Sequence, residues 1–150
     1  MFIQDTTGSL QPYIDASVAR CKDICFALQG SGQLDKVEGL RLAVVAYRDH
    51  FDGDEYVTKD FGGFTNNVET FVSNLSTLVA HGGGDGPEAM TSALYNALNL
   101  KWRGLDTAKI AIVITDAPPH GIGERDDDDY DGDRDGMLTP NFCMKFIQRR

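Results

Sequence analysis

Two runs in this chain are almost wholly apolar: Leu-Arg-Leu-Ala-Val-Val-Ala-Tyr over residues 40–47 and Lys-Ile-Ala-Ile-Val-Ile-Thr over residues 109–115. Strands without apolar–polar alternation call for cover on both faces, which helices on either side of a parallel sheet supply. Helical periodicity surrounds these runs. From Leu10 the apolar positions are 10, 13, 14, 18, 21, 24, 25 and 28, a stripe that ends at Gly30-Ser31-Gly32. A second stripe uses Val68, Phe71, Val72, Leu75 and Leu78, with Thr65 or Asn66 as its N-cap. A third opens with Pro87 in its first turn and buries Ala89, Met90, Ala93, Leu94, Ala97 and Leu98. Phe2-Ile3 reads as an opening strand ending at Gln4-Asp5, residues 56–61 as a short edge strand closed by Gly62-Gly63, and Thr139-Pro140 as the start of a last helix. Strands alternating with helices predict the α/β class, with an open, mainly parallel, Rossmann-like sheet flanked by helices.

A length of 150 residues suits one domain spanning 1–150. Its first strand is short and no strand follows the last helix, so the expectation is an incomplete domain lacking its final strand and helix. No apolar run approaches the ~20 residues that span a bilayer, and the N-terminus carries no secretory signal pattern, so membrane insertion is not expected. Three cysteines make no closed disulfide framework. Cys21 and Cys25 fall on the apolar side of the first helix as small buried hydrophobes, which favours a reducing, cytoplasmic setting while leaving the location open. The formal net charge is −9, and residues 124–136 hold eight acids and two arginines, hence most of the excess. A phosphate backbone would be repelled by that field, which argues against nucleic acid and for cations.

In an open parallel sheet, ligands bind outside the carboxyl ends of the strands. Asp5 ends the first strand, Asp116 ends the Ile-rich one, and Asp85 sits in the glycine loop His-Gly-Gly-Gly-Asp-Gly before the third helix. Asp5, Thr7 and Ser9, at alternate positions on a turn, can point three oxygens to one side, with Gly8 letting the backbone bend between the hydroxyls. Such hard oxygens suit Mg²⁺, which prefers octahedral oxygen ligands and keeps several waters. Hydroxyl ligands are neutral, so the ion retains positive character toward an acidic ligand.

Asp-Thr-Thr-Gly-Ser after an apolar strand resembles the first element of the metal-ion-dependent adhesion site (MIDAS) of von Willebrand factor type A domains, and Ile-Val-Ile-Thr-Asp116 resembles the strand that carries that site's last Asp. The order of elements is similar along essentially the whole chain. The middle element departs from the commonest pattern. His-Gly-Gly-Gly-Asp-Gly-Pro-Glu presents Asp85 where adhesive members usually offer a Thr, and together with Ala-Tyr-Arg-Asp-His50 and Asp-Ala-Pro-Pro-His120 it is similar to the alpha-kinase-associated subgroup. Thr91, deeper in the following helix, is the poorer candidate. The resemblance implies a metal site of Asp5, Thr7, Ser9, Asp85 and Asp116 holding Mg²⁺ (or Mn²⁺ or Ca²⁺). It also implies a non-enzymatic binding module whose ion takes an exposed Asp or Glu from a partner protein.

Two other readings compete. An aspartyl residue after a strand also suits a Mg²⁺-dependent phosphoryl-transfer hydrolase, although Thr7 stands where such enzymes place a second Asp. A metal-free scaffold within a larger chain, such as a kinase, is the other. Arg48, Asp49, His50 and His120 would line the same rim, either contacting ligand or fixing loops by hydrogen bonds. Histidines at 50, 81 and 120 have no zinc spacing. Asp131, Asp133, Asp135 and Gly136 follow the first half of a calcium loop, but Phe142 replaces the closing Glu, so a solvated acidic loop is expected there.

Overall fold

Four strands, β1 (Phe2–Asp5), β2 (Val44–Tyr47), β3 (Thr58–Asp60) and β4 (Ile112–Ile114), hydrogen-bond in the order β3-β2-β1-β4. In this computed structural model β1, β2 and β4 are parallel and β3 joins the β2 edge antiparallel. The structure describes residues 1–32, 39–50, 53, 55–84, 86–104 and 106–120. Asp85, the acidic run with its calcium-loop pattern, Cys143 and the expected last helix lie outside them.

The two faces of the sheet are covered as the apolar runs require. Phe2, Val44 and Ala46 face α1 (Gln11–Gly30) and α2 (Val68–Ser76), where Ile14, Cys21, Cys25, Phe71 and Leu75 complete one core. Ile3, Val45 and Tyr47 face α3 (Met90–Asn99), where Ala93, Leu94, Ala97 and Leu98 complete the other. All four residues of β2 are buried, as its unbroken apolar run predicts. The chain goes from β1 outward to β2 through α1, then returns through α3 to β4 on the other side of β1. The connections therefore change direction between β1 and β4, and the carboxyl ends of those two strands flank the crevice where an open α/β sheet takes ligands.

Several boundaries differ from the sequence reading. Asn67, not Thr65 or Asn66, caps α2: its side chain accepts from the Thr70 amide at 2.7 Å. Thr65 is held one step earlier by a bridge to Leu42, which also shortens β2 from the expected 40–47. Pro87 does not open a helix. Residues 87–89 run as a buried segment that bridges Pro119 through Glu88, and helical geometry begins at Met90. The α1 stripe has the expected period, yet Tyr13, Ile24 and Leu28 are exposed. β4, the most apolar strand in sequence, leaves Ile112 and Val113 partly open because β1 is its sole strand partner among the described residues. Among those residues no helix is long and apolar enough to cross a membrane.

The packing sets an order of costs. Phe71→Ala empties a fully enclosed position and should cost about 3–5 kcal/mol, whereas Asn67→Ala removes one cap bond and should cost about 1 kcal/mol. Urea unfolding monitored by circular dichroism ranks the two; comparable losses would contradict the placement of Phe71 in the core.

Candidate functional site

Asp5 is the last residue of β1 and is completely buried. The strand alternation places it on the α3 face beside Tyr47, its register partner on β2. Hydroxyl and amide donors hold its carboxylate. Oδ1 accepts from the Thr7 amide at 2.9 Å and from the Thr7 hydroxyl at 2.7 Å, while Oδ2 accepts from the Thr115 hydroxyl at 3.0 Å. Burial raises the Asp5 carboxyl above its ordinary value. The bonds from Thr7 and Thr115 oppose that rise, and the negative charge of Asp116 adds to it. No cationic side chain among the described residues balances this charge. A carboxylate has about four acceptor sites, so three donors leave room for a further electropositive partner.

The loop after β1 is stitched to the glycine loop. The Gly8 amide donates to the Gly82 carbonyl at 2.9 Å, and the His81 amide donates to the Thr6 carbonyl at 2.9 Å. A Cβ on Gly8 would stand 3.2 Å from that carbonyl, so Gly8 serves close backbone approach; the chain turns there into the 3-10 segment without a positive φ. Gly83 has φ +86°, and a Cβ there would meet the Glu88 carboxylate at 3.0 Å and Thr7 Cβ at 3.1 Å. Only glycine lets the loop cross between those two side chains.

The predicted ligands are distributed as follows. Asp5 and Thr7 are in direct contact. Ser9 lies in the 3-10 turn Gly8–Leu10 and is exposed. Asp116, exposed at the end of the neighbouring strand, is near enough for its charge to act on Asp5. Asp85 is not among the described residues; Gly83, two positions before it, packs beside Thr7. Thr91 is the second residue of α3, not one buried a turn or more inside it, and its enclosed hydroxyl makes no hydrogen bond. The oxygen-only donor set of buried carboxylate, hydroxyls and second carboxylate fits a hard divalent cation.

The rim residues fix loops. Asp49 and His120 form a pair with Oδ1 and Nε2 2.5 Å apart, tying the end of β2 to the loop after β4. Folding brings the His50 and His120 rings to 5.7 Å despite their sequence separation. Even so, among the described residues no three histidines, cysteines or acids converge on one point where a metal could sit. Arg48 donates to the Val79 carbonyl at 3.1 Å and lies over the Tyr56 ring.

Sequence reasoning missed Thr115, Tyr47 and Glu88. Thr115 follows from the parallel register: Gln4 pairs with Ile114, so the next residue of β4 stands beside Asp5. The signal for Glu88 is an acid directly before a wholly apolar helical face, a position that packing buries to 4% exposure. Burial, together with the charges of Asp5 and Glu88, pushes the Tyr47 hydroxyl far above its ordinary range.

A family model described as von Willebrand factor A domain matches residues 1–126. The chain is 32% identical over 121 residues to the alpha-protein kinase vwkA of Dictyostelium discoideum, covering 81% of this chain and 18% of that protein. It is likewise 32% identical over 120 residues to von Willebrand factor A domain-containing protein 7 of Rattus norvegicus, covering 79% of this chain and 12% of the relative. The chain thus spans less than a fifth of the length of these relatives.

The raised Asp5 carboxyl has a pH signature. Between its ordinary value of 3.8 and the higher folded value, the native state keeps a proton that the unfolded chain has released. This contribution to stability is full below that interval and is lost as pH rises through the folded value. Asp5→Asn cannot ionise and keeps the acceptor for Thr7, so in the presence of chelator it should be more stable than wild type at neutral pH, with the gap closing toward pH 4. Urea midpoints at the two pH values test this, and a variant destabilised at neutral pH would count against it.

Proposed function

The chain belongs to the von Willebrand factor A domain family, whose members are generally interaction modules, and on that premise we propose that it is a divalent-metal-dependent protein-binding module. The observation that carries this reading is the buried Asp5 carboxylate, held by neutral donors with an acid as its charged neighbour. An ionised carboxylate taken out of water is strongly disfavoured unless it is paired or bound to a metal. Asp5, Thr7, Ser9 and Asp116, with Asp85 from the glycine loop, would hold Mg²⁺ or Mn²⁺, with Ca²⁺ as the larger alternative. The bound ion would act as a Lewis acid toward an Asp or Glu side chain offered by a partner protein.

The exposure gradient supports this direction of approach. Asp5 and Thr7 are buried, whereas Ser9 and Asp116 are exposed. A ligand carboxylate entering from solvent would complete the ion's coordination there without displacing Asp5. Asp85 adds a carboxylate where a neutral Thr is usual in adhesive members, so the ion would keep less positive charge for an acidic ligand.

Chelator-treated protein titrated with Mg²⁺ or Mn²⁺ in a calorimeter should bind one ion. Asp5→Ala and Asp116→Ala should weaken binding by more than the roughly 10–100-fold that follows loss of an outer partner of a metal site, and Ser9→Ala should weaken it less. No heat with either ion would favour the metal-free scaffold, and magnesium-dependent phosphatase turnover abolished by Asp5→Asn would favour the hydrolase. Asp85→Thr should tighten binding of an acidic peptide to the metal-loaded protein; loss of metal affinity without that gain would contradict the assigned role of Asp85.

A further inference from the structure

Glu88 is an acid that the metal reading leaves unused, and its position is constrained from three sides. Its amide donates to the Pro118 carbonyl at 2.9 Å and its carbonyl accepts from the His120 amide at 3.2 Å, so it is bridged to the loop that carries Asp116. The next residue, Ala89, donates to the Arg48 carbonyl at 3.1 Å at the end of β2. The side chain is turned inward and is 4% exposed. Its Oε1 lies against the Cα of Gly83, on whose same face Thr7 packs. The charges of Glu88 and Asp5 both act on the Tyr47 hydroxyl, which is buried without a hydrogen bond of good geometry. The charges of Glu88 and Asp5 therefore both reach one enclosed phenol.

We propose that Glu88 is a specificity-determining residue of the cation site: a buried carboxylate that acts across Thr7, Gly83 and Tyr47, strengthening the pull on a highly charged cation without ligating it. This rests on the cation reading above. Among the described residues no three acids converge closely enough to share an ion, so Glu88 does not join Asp5 and Asp116 as a third carboxylate ligand. The effect is one of field. A carboxylate enclosed by protein is poorly screened by solvent, so its charge reaches the neighbouring ion at low effective dielectric. Because Coulomb energy scales with the product of charges, the benefit must grow with the charge of the ion. A purely structural role, holding the loops together, would affect ions of similar size alike.

The test compares Mn²⁺ with Tb³⁺ on the whole chain, by calorimetry and by Tb³⁺ luminescence. Glu88→Gln keeps the shape and removes the charge. If it weakens Mn²⁺ about fivefold, it should weaken Tb³⁺ about elevenfold, the three-to-two ratio that the charges impose on the logarithms. Glu88→Asp draws the carboxylate back by one methylene and should give the same ordering with smaller factors, so it decides the matter if Glu88→Gln does not fold. Equal losses for the two ions, or no loss for either, would overturn the proposal while leaving the cation site standing. Absence of Mn²⁺ and Tb³⁺ binding to wild type would instead remove the metal reading on which the proposal rests.

Discussion

Burial of the Asp5 carboxylate at the end of β1 organises this end of the molecule. A charged group can be enclosed only if its surroundings supply donors or a counter-ion. Here the donors come from the residue two positions on and from the neighbouring strand, so β1, the turn after it and the end of β4 are mutually dependent. Neutral donors supply hydrogen bonds but leave the net charge in place. A site built this way favours the ionised form only when something positive joins it, and a divalent ion satisfies that condition on chemical grounds.

The scaffold around Asp5 is stiff for identifiable reasons. The Thr6 amide and hydroxyl both donate to the Tyr47 carbonyl, extending the β1–β2 ladder past the last paired residue. The glycine loop is fastened to the β1 turn by two backbone bonds, and residues 88–89 are fastened both to the end of β2 and to the loop after β4. The Asp49–His120 pair closes the circuit on the far side. Each of these described loop segments is thus held by another loop or strand end.

Much of the fold was legible because periodicity reports burial directly. The unbroken run before Tyr47 announced a strand covered on both faces, and the spacing of Ala93, Leu94, Ala97 and Leu98 announced the buried face of α3. The misses share one cause. Local patterns cannot say where a neighbouring segment competes for the backbone. Thr65 was diverted from capping by its bridge to Leu42, and Pro87 from helix initiation by the bridge between Glu88 and Pro119. Ile112 and Val113 read as core but have too few neighbours among the described residues to be enclosed.

By itself the sequence determined the class of fold, the placement of Asp5 at the end of its strand with Thr7 and Ser9 on the turn that follows, and the oxygen-bearing residue types there, because strand period and residue type are local properties. Only the tertiary structure decided that Thr115 grips Asp5 from the next strand, that Tyr47 lies beside it, and that Glu88 is turned inward beneath Gly83. Those relations depend on strand register and on loops distant in sequence meeting over one crevice, and neither is encoded in any single stretch of the chain.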